Sequence, residues 1–229
     1  MPMPFAWREA EMKVKAAISF VVTALMFGLF YWGMNNIYGW MLAVVVVVML
    51  AFMYNGFRLM GRALPDHERF FVRMFLFLSF MFFINVIFLL TFSWGRVSPH
   101  LILLNRGYIG YYLDHHSNFI PFASIVEPFR DGYGAGYIIK NIGGNIAVLM
   151  PVGFFCPLLF KRLQKALPLV AFSILLVLFI EITQFVFMVG TIDVDDLILN
   201  VSGAVLMFMI IKIPVVKKLI YKIFPGVEY

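Results

Sequence analysis

The run LPLVAFSILLVLFIEITQFVFMV, from Leu167 to Val189, decides the fold class of this chain. A helix needs roughly 20 apolar residues to cross a bilayer, and this segment supplies them with one charged side chain, Glu181. Five further runs have the same character: Ala16 to Met34, Tyr38 to Phe57, Met74 to Phe92, Ile142 to Phe160 and Leu197 to Ile213. The fold they predict is all-α, a polytopic transmembrane helix bundle of about six spans. Composition agrees. Only 13% of residues are charged and 63% are apolar, whereas a soluble domain carries about 25% charged residues and could not cover this much apolar surface. The first run follows Arg8, Lys13 and Lys15, as a signal peptide would. It is longer than a signal-peptide core and ends in Gly-Met-Asn-Asn-Ile without a small-x-small cleavage site, so a retained span is expected.

The basic residues orient the bundle. Arg8, Lys13 and Lys15 precede the first run, Arg58, Arg62, Arg69 and Arg73 follow the second, Lys161, Arg162 and Lys165 follow the fourth, and Lys212, Lys217, Lys218 and Lys222 occupy the tail. If every run spans, these fourteen of eighteen fall on one side, and Arg96, Arg106, Arg130 and Lys140 fall on the other. The positive-inside rule then places both termini in the cytoplasm of a multi-pass cell-membrane protein. The net charge of +6 is thereby explained without a nucleic-acid partner. Cys156 is the only cysteine, which excludes an intrachain disulfide and a cysteine metal cluster. No cofactor motif is evident.

Three regions follow: N-terminal transmembrane helices over 1–92, a long outer connection over 93–141, and C-terminal transmembrane helices over 142–229. The connection holds Leu101-Ile-Leu-Leu, then Tyr108, Tyr111 and Tyr112, then glycines around Gly132. Tyrosines among apolar neighbours favour the membrane interface, so an interfacial or re-entrant segment with a loop is expected.

Polar residues collect at the outer ends of the last three spans. Asn141 and Asn145 are four apart and share one face of the fourth; Glu181 and Gln184 are three apart on the fifth; Asp196 and Asn200 are four apart at the start of the sixth. Glu181 lies about 12 Å inside the end of its span, where a carboxylate costs about 2.5–3.5 kcal/mol on insertion scales. It must therefore face the bundle interior, carry a proton or find a partner. The bland reading is a neutral acid joining helices through hydrogen bonds. Asp193, Asp195 and Asp196 precede the sixth span, where one aspartate suffices to cap a helix. Three exceed that need, and they are candidates for a hard metal ion, a general base or a cation-binding group. His115 and His116 suit surface display better than phosphoryl transfer with Arg106 or Arg130. Gly143 and Ala147 would let the fourth span pack closely, and Pro151 and Pro157 would kink it.

Four blocks in order make the C-terminal half recognisable: Asn118-Phe-Ile-Pro-Phe, Asn141-Ile-Gly-Gly-Asn-Ile-Ala-Val-Leu-Met-Pro-Val-Gly153, Glu181-Ile-Thr-Gln-Phe, and Asp193-Val-Asp-Asp-Leu-Ile-Leu-Asn-Val-Ser-Gly203. Over about 118–212 the chain resembles the VanZ-like family, named for a protein associated with resistance to the glycopeptide teicoplanin. Asn145, Pro151, Gly153, Glu181, Gln184, Asp195, Asp196, Asn200 and Gly203 match the family pattern, and Val201 stands where threonine is commoner. The resemblance implies a bacterial cell-envelope membrane protein without supplying a reaction. Two readings stand. In one, membrane lipids or a lipid-linked precursor bind an outer-leaflet cleft formed by Asn141, Asn145, Glu181, Gln184, Asp195, Asp196 and Asn200, changing sensitivity to lipophilic glycopeptides. In the other, an enzyme acts on a lipid-linked phosphate or sugar, with Glu181 or Asp196 as base or metal ligand, and with Asp193, Asp195 and Asp196 as the candidate metal ligands of the link.

Overall fold

A computed structural model describes residues 5–34, 36, 39–93, 106–187 and 190–229. The expected runs of Arg96, Leu101 to Leu104 and Val189 lie outside the described residues. Six helices are long and apolar enough to cross a membrane, as the sequence predicts. They are α1 (Phe5–Gly33), α2 (Gly39–Ala63), α3 (Glu68–Ser93), α7 (Gly144–Leu159, with the turns before it), α8 (Ala166–Phe187) and α9 (Val194–Lys212). The helix of α1 begins well before its apolar run because polar residues extend it. Glu9 with Lys13 and Glu11 with Lys15 pair at 2.6 Å, four residues apart.

Between α3 and α7 lie α4 (Arg106–His115), β1 (Ser117–Asn118), α5 (Ala123–Arg130) and α6 (Ala135–Ile138). A π turn over Ile139–Gly143 joins α6 to α7. Strand β2 (Ile192–Asp193) precedes α9 and pairs in parallel with β1, Ser117 opposite Ile192 and Asn118 opposite Asp193. Helix α10 (Pro214–Ile223) follows α9.

The chain forms two units. The first comprises residues 1–79 and 218–228. Within it α1 packs on α2 where Gly56 makes room: a Cβ there would sit 2.8 Å from the Phe20 ring. Asn55 donates to the Ser19 hydroxyl at 3.0 Å, and the Phe20 and Phe57 rings meet edge-on at 5.0 Å. The tail returns to the same unit. The Tyr54 hydroxyl donates to the Ile223 carbonyl at 2.9 Å, and the Phe224 ring stacks on Phe75 at 5.9 Å.

The second unit comprises residues 80–217 with Tyr229. Its core is the crossing of α7 and α9. A Cβ on Gly153 would lie 2.0 Å from the Ala204 carbonyl oxygen, and one on Gly203 would lie 1.9 Å from that of Ile146. No side chain fits at either point, so the two backbones approach as small residues allow in lipid. The close packing expected of Gly143 and Ala147 is corrected here. A Cβ on Gly143 would meet only Ile139, at 3.9 Å, and Ala147 is exposed. Leu149, Val152, Cys156, Leu199, Ala204 and Phe208 fill the surrounding interior. Helix α7 continues through Pro151 and Pro157, and Gln164 donates to the Pro157 carbonyl at 3.2 Å.

Candidate functional site

The site is assembled around the short link between α8 and α9. Gly190, at φ +133°, turns the chain out of α8, and β2 then carries it into α9. Each of the three aspartates in this link does different work. Asp193 caps α9: its Oδ1 accepts the Asp195 N–H at 2.8 Å and the Asn118 side-chain amide at 2.9 Å. Its Oδ2 accepts the Ser124 hydroxyl at 2.5 Å. Asp195 is fully buried, and its two oxygens accept the backbone N–H groups of Phe122 and Ser124 at 2.5 and 2.8 Å. Asp196 takes the side-chain amide of Asn145 on one oxygen, and its carbonyl accepts the Asn200 amide at 2.7 Å.

These bonds draw the segment from Asn118 to Ser124 onto the start of α9. Asn118 also turns its own loop, its oxygen accepting the Ile120 N–H at 3.0 Å. Beside the junction opens a cleft of about 270 Å³. Asp193, Asp196, Thr191 and Asn141 line one part; Ser124, Glu127, Asp131, Tyr133 and Tyr137 line the rest. The two tyrosine rings lie 4.7 Å apart and are exposed. Arg130 bonds Asp131 at 3.0 Å and pairs with Glu127 at 3.6 Å. The hydrogen bond to Asp131, then the charges of Asp131 and Glu127, raise the Arg130 pKa above its already high value, so it stays cationic. Four carboxylates against this one exposed guanidinium leave the cleft acidic.

Of the residues expected at the cleft, Asn141 and Asp196 line it. Asn145 and Asn200 stand beside Asp196 and hold it. Glu181 is 8% exposed, and its Oε2 accepts the Asp193 N–H at 3.4 Å, which ties α8 to the link. Gln184 lies against the Gly190 turn, where a glycine Cβ would come within 3.3 Å of its Nε2. Asp195 is turned into the protein. Among the described residues no group of three or more His, Cys, Asp and Glu side chains is placed to hold a metal ion. The oxygens of Asp193 and Asp195 already face N–H and O–H donors from the loop. His115 stacks on Tyr111 at 4.2 Å in α4 and does not line the cleft; the Arg106 side chain lies outside the described residues.

Helical spacing does not reveal Ser124, Glu127, Tyr133 or Tyr137, which come from the connection. The only available signal was Asn118, which opens a motif block. The VanZ/LLP1 family model matches residues 71–217, well over half the sequence. The chain belongs to the VanZ/LLP1 family. The match begins in α3 and takes in every residue of the cleft, so the acidic cleft, the β1–β2 pair and the Gly153–Gly203 crossing all lie within the VanZ/LLP1 region. Comparison with curated proteins and with solved structures finds no match.

Proposed function

We propose that the cleft receives the head group of an outer-leaflet lipid or lipid-linked envelope precursor, and that this lowers sensitivity to lipophilic glycopeptides such as teicoplanin. The observation that carries the reading is a polar cleft of about 270 Å³ with two exposed tyrosines, set among helices apolar enough to span a membrane. Tyrosine places an apolar ring and a polar hydroxyl at the lipid–water boundary. Behind the cleft, Asn145 and Asn200 fix Asp196, so the polar wall is held before a ligand arrives. The family resemblance supports the link to glycopeptides, since teicoplanin carries a lipid tail and acts at the outer membrane surface.

A second reading rests on Asp196 itself. It lines the cleft and, among the described residues, only one of its carboxylate oxygens takes a hydrogen bond. The other oxygen suits a general base acting on a lipid-linked phosphate or sugar. One experiment separates the two. Lipids co-purifying with the wild-type protein and with Asp196→Asn are identified by mass spectrometry, beside glycopeptide sensitivity of cells expressing each. Retained lipid and retained phenotype in Asp196→Asn support binding; retained lipid with lost phenotype supports the enzyme. A lipid profile identical to an unrelated membrane protein's would overturn both.

A further inference from the structure

The junction of α2 and α3 borders a cavity of about 160 Å³ within the first unit, lined by both cationic and apolar side chains. Phe57, Val72 and Phe75 form apolar walls, and Arg58, Arg62 and Lys222 line the same cavity. Arg58 and Arg62 are four apart, so they project from one face of α2. Lys222 comes from α10, and the Tyr54–Ile223 hydrogen bond with the Phe75–Phe224 stack fixes its place. Among the described residues none of these three cations forms an ion pair. Glu68 is the one carboxylate that lines the cavity, so three cations less one anion leave a charge of +2 there.

The positive-inside rule accounts for basic residues at this end of the helices. It does not require them to converge. Each side chain is exposed and could reach water alone, yet the three line one cavity, where a bound anion would offset what solvent leaves of their mutual repulsion. Arginine offers paired N–H donors that fit phosphate oxygens, and an apolar wall beside them fits acyl chains. We propose that this cavity binds the phosphate of an anionic lipid head group, with Arg58, Arg62 and Lys222 as its ligands and the acyl chains against Phe57, Val72 and Phe75. A free phosphate anion shares the chemistry of the three cations but not that of the wall.

The full chain, purified in an uncharged detergent, is titrated with phosphatidylglycerol and with phosphatidylcholine of identical acyl chains, and bound lipid is counted by native mass spectrometry. One saturable equivalent of phosphatidylglycerol is expected, bound about tenfold more tightly than phosphatidylcholine. Replacing Arg58, Arg62 and Lys222 together by Gln should weaken it about tenfold or more, since each charge-assisted bond lost is of that order. Replacing Lys161, Arg162 and Lys165 by Gln removes the same charge elsewhere and should change nothing. If the triple variant is not monodisperse, Lys222→Gln alone, at an exposed side chain, should still give a severalfold loss. Displacement by millimolar inorganic phosphate would overturn the lipid assignment in favour of a free anion. Equal binding of the two lipids, or equal loss in both triple variants, would overturn the site.

Discussion

Asp195 and Phe122 are 73 residues apart in sequence, yet the Asp195 carboxylate accepts the Phe122 N–H at 2.5 Å. Phe122 is, among the described residues, the one non-glycine with positive φ, at +68°. That conformation costs about 1–2 kcal/mol for an L residue, and the buried carboxylate at the start of α5 holds it. Asp195→Ala should leave the Phe122 and Ser124 N–H groups without their acceptor and destabilise the protein by on the order of 3 kcal/mol. Phe122→Gly should do the reverse, raising stability by about 1 kcal/mol, because the strain disappears and the Phe122 ring is largely exposed. Thermal unfolding in detergent reads both; an unchanged midpoint in Asp195→Ala would refute the argument.

The α7–α9 crossing makes a second prediction. Gly153→Ala and Gly203→Ala each place a methyl about 2 Å from a carbonyl oxygen of the facing helix, where nothing flexible can give way. Each should lose about 3 kcal/mol or more, seen as aggregation on size-exclusion chromatography. Gly144→Ala, with open space around it, should elute as wild type.

Much of this architecture is legible in the sequence, and the reasons it stops are physical. Apolar length alone finds the six helices. Spacing of three and four pairs Asp196 with Asn200, and the structure joins Asn145 to them. The link from Asn118 to Asp193 has no such signal: two-residue strands show no periodicity, and their partners lie 75 residues apart. Composition cannot tell which of three closely spaced aspartates caps a helix, which holds a loop and which face a cleft, because that depends on where the Phe122 loop arrives. Gly143 and Gly153 look alike in sequence; only the point where α9 crosses distinguishes them.

Glu181 makes a third test. Its carboxylate oxygen accepts one N–H, from Asp193. Glu181→Gln keeps an oxygen there and should preserve yield and monodispersity. Glu181→Ala should lose about 1–3 kcal/mol as the link between α8 and α9 loosens. A folded Gln variant without effect on glycopeptide sensitivity, beside active wild type, would make the carboxylate itself functional; full effect would leave it a helix tie.

Topology is checked by labelling. In a Cys156→Ser background, Asp114→Cys should react with an impermeant maleimide on intact cells, and Asp66→Cys should react only after lysis. Both side chains are exposed, so access depends on the membrane alone. The opposite pattern would invert the bundle and place the acidic cleft in the cytoplasm.

The π turn over Ile139–Gly143 makes the protein tolerant of a one-residue loss at that point. Such a turn holds one residue more than an α-helical turn, and each residue of an α-helix advances the direction of its side chains by about 100°. Deleting a single residue there would convert the segment to continuous α-helix while leaving Asn145 on Asp196. Because the extra residue is absorbed inside the wider turn, Tyr133 and Tyr137 would keep their direction relative to Asn145, whereas a deletion within the α-helical part of α7 would swing them round the axis by that angle. One residue can thus be lost at the π turn without re-aiming the mouth of the site, while the same loss one turn later would re-aim it.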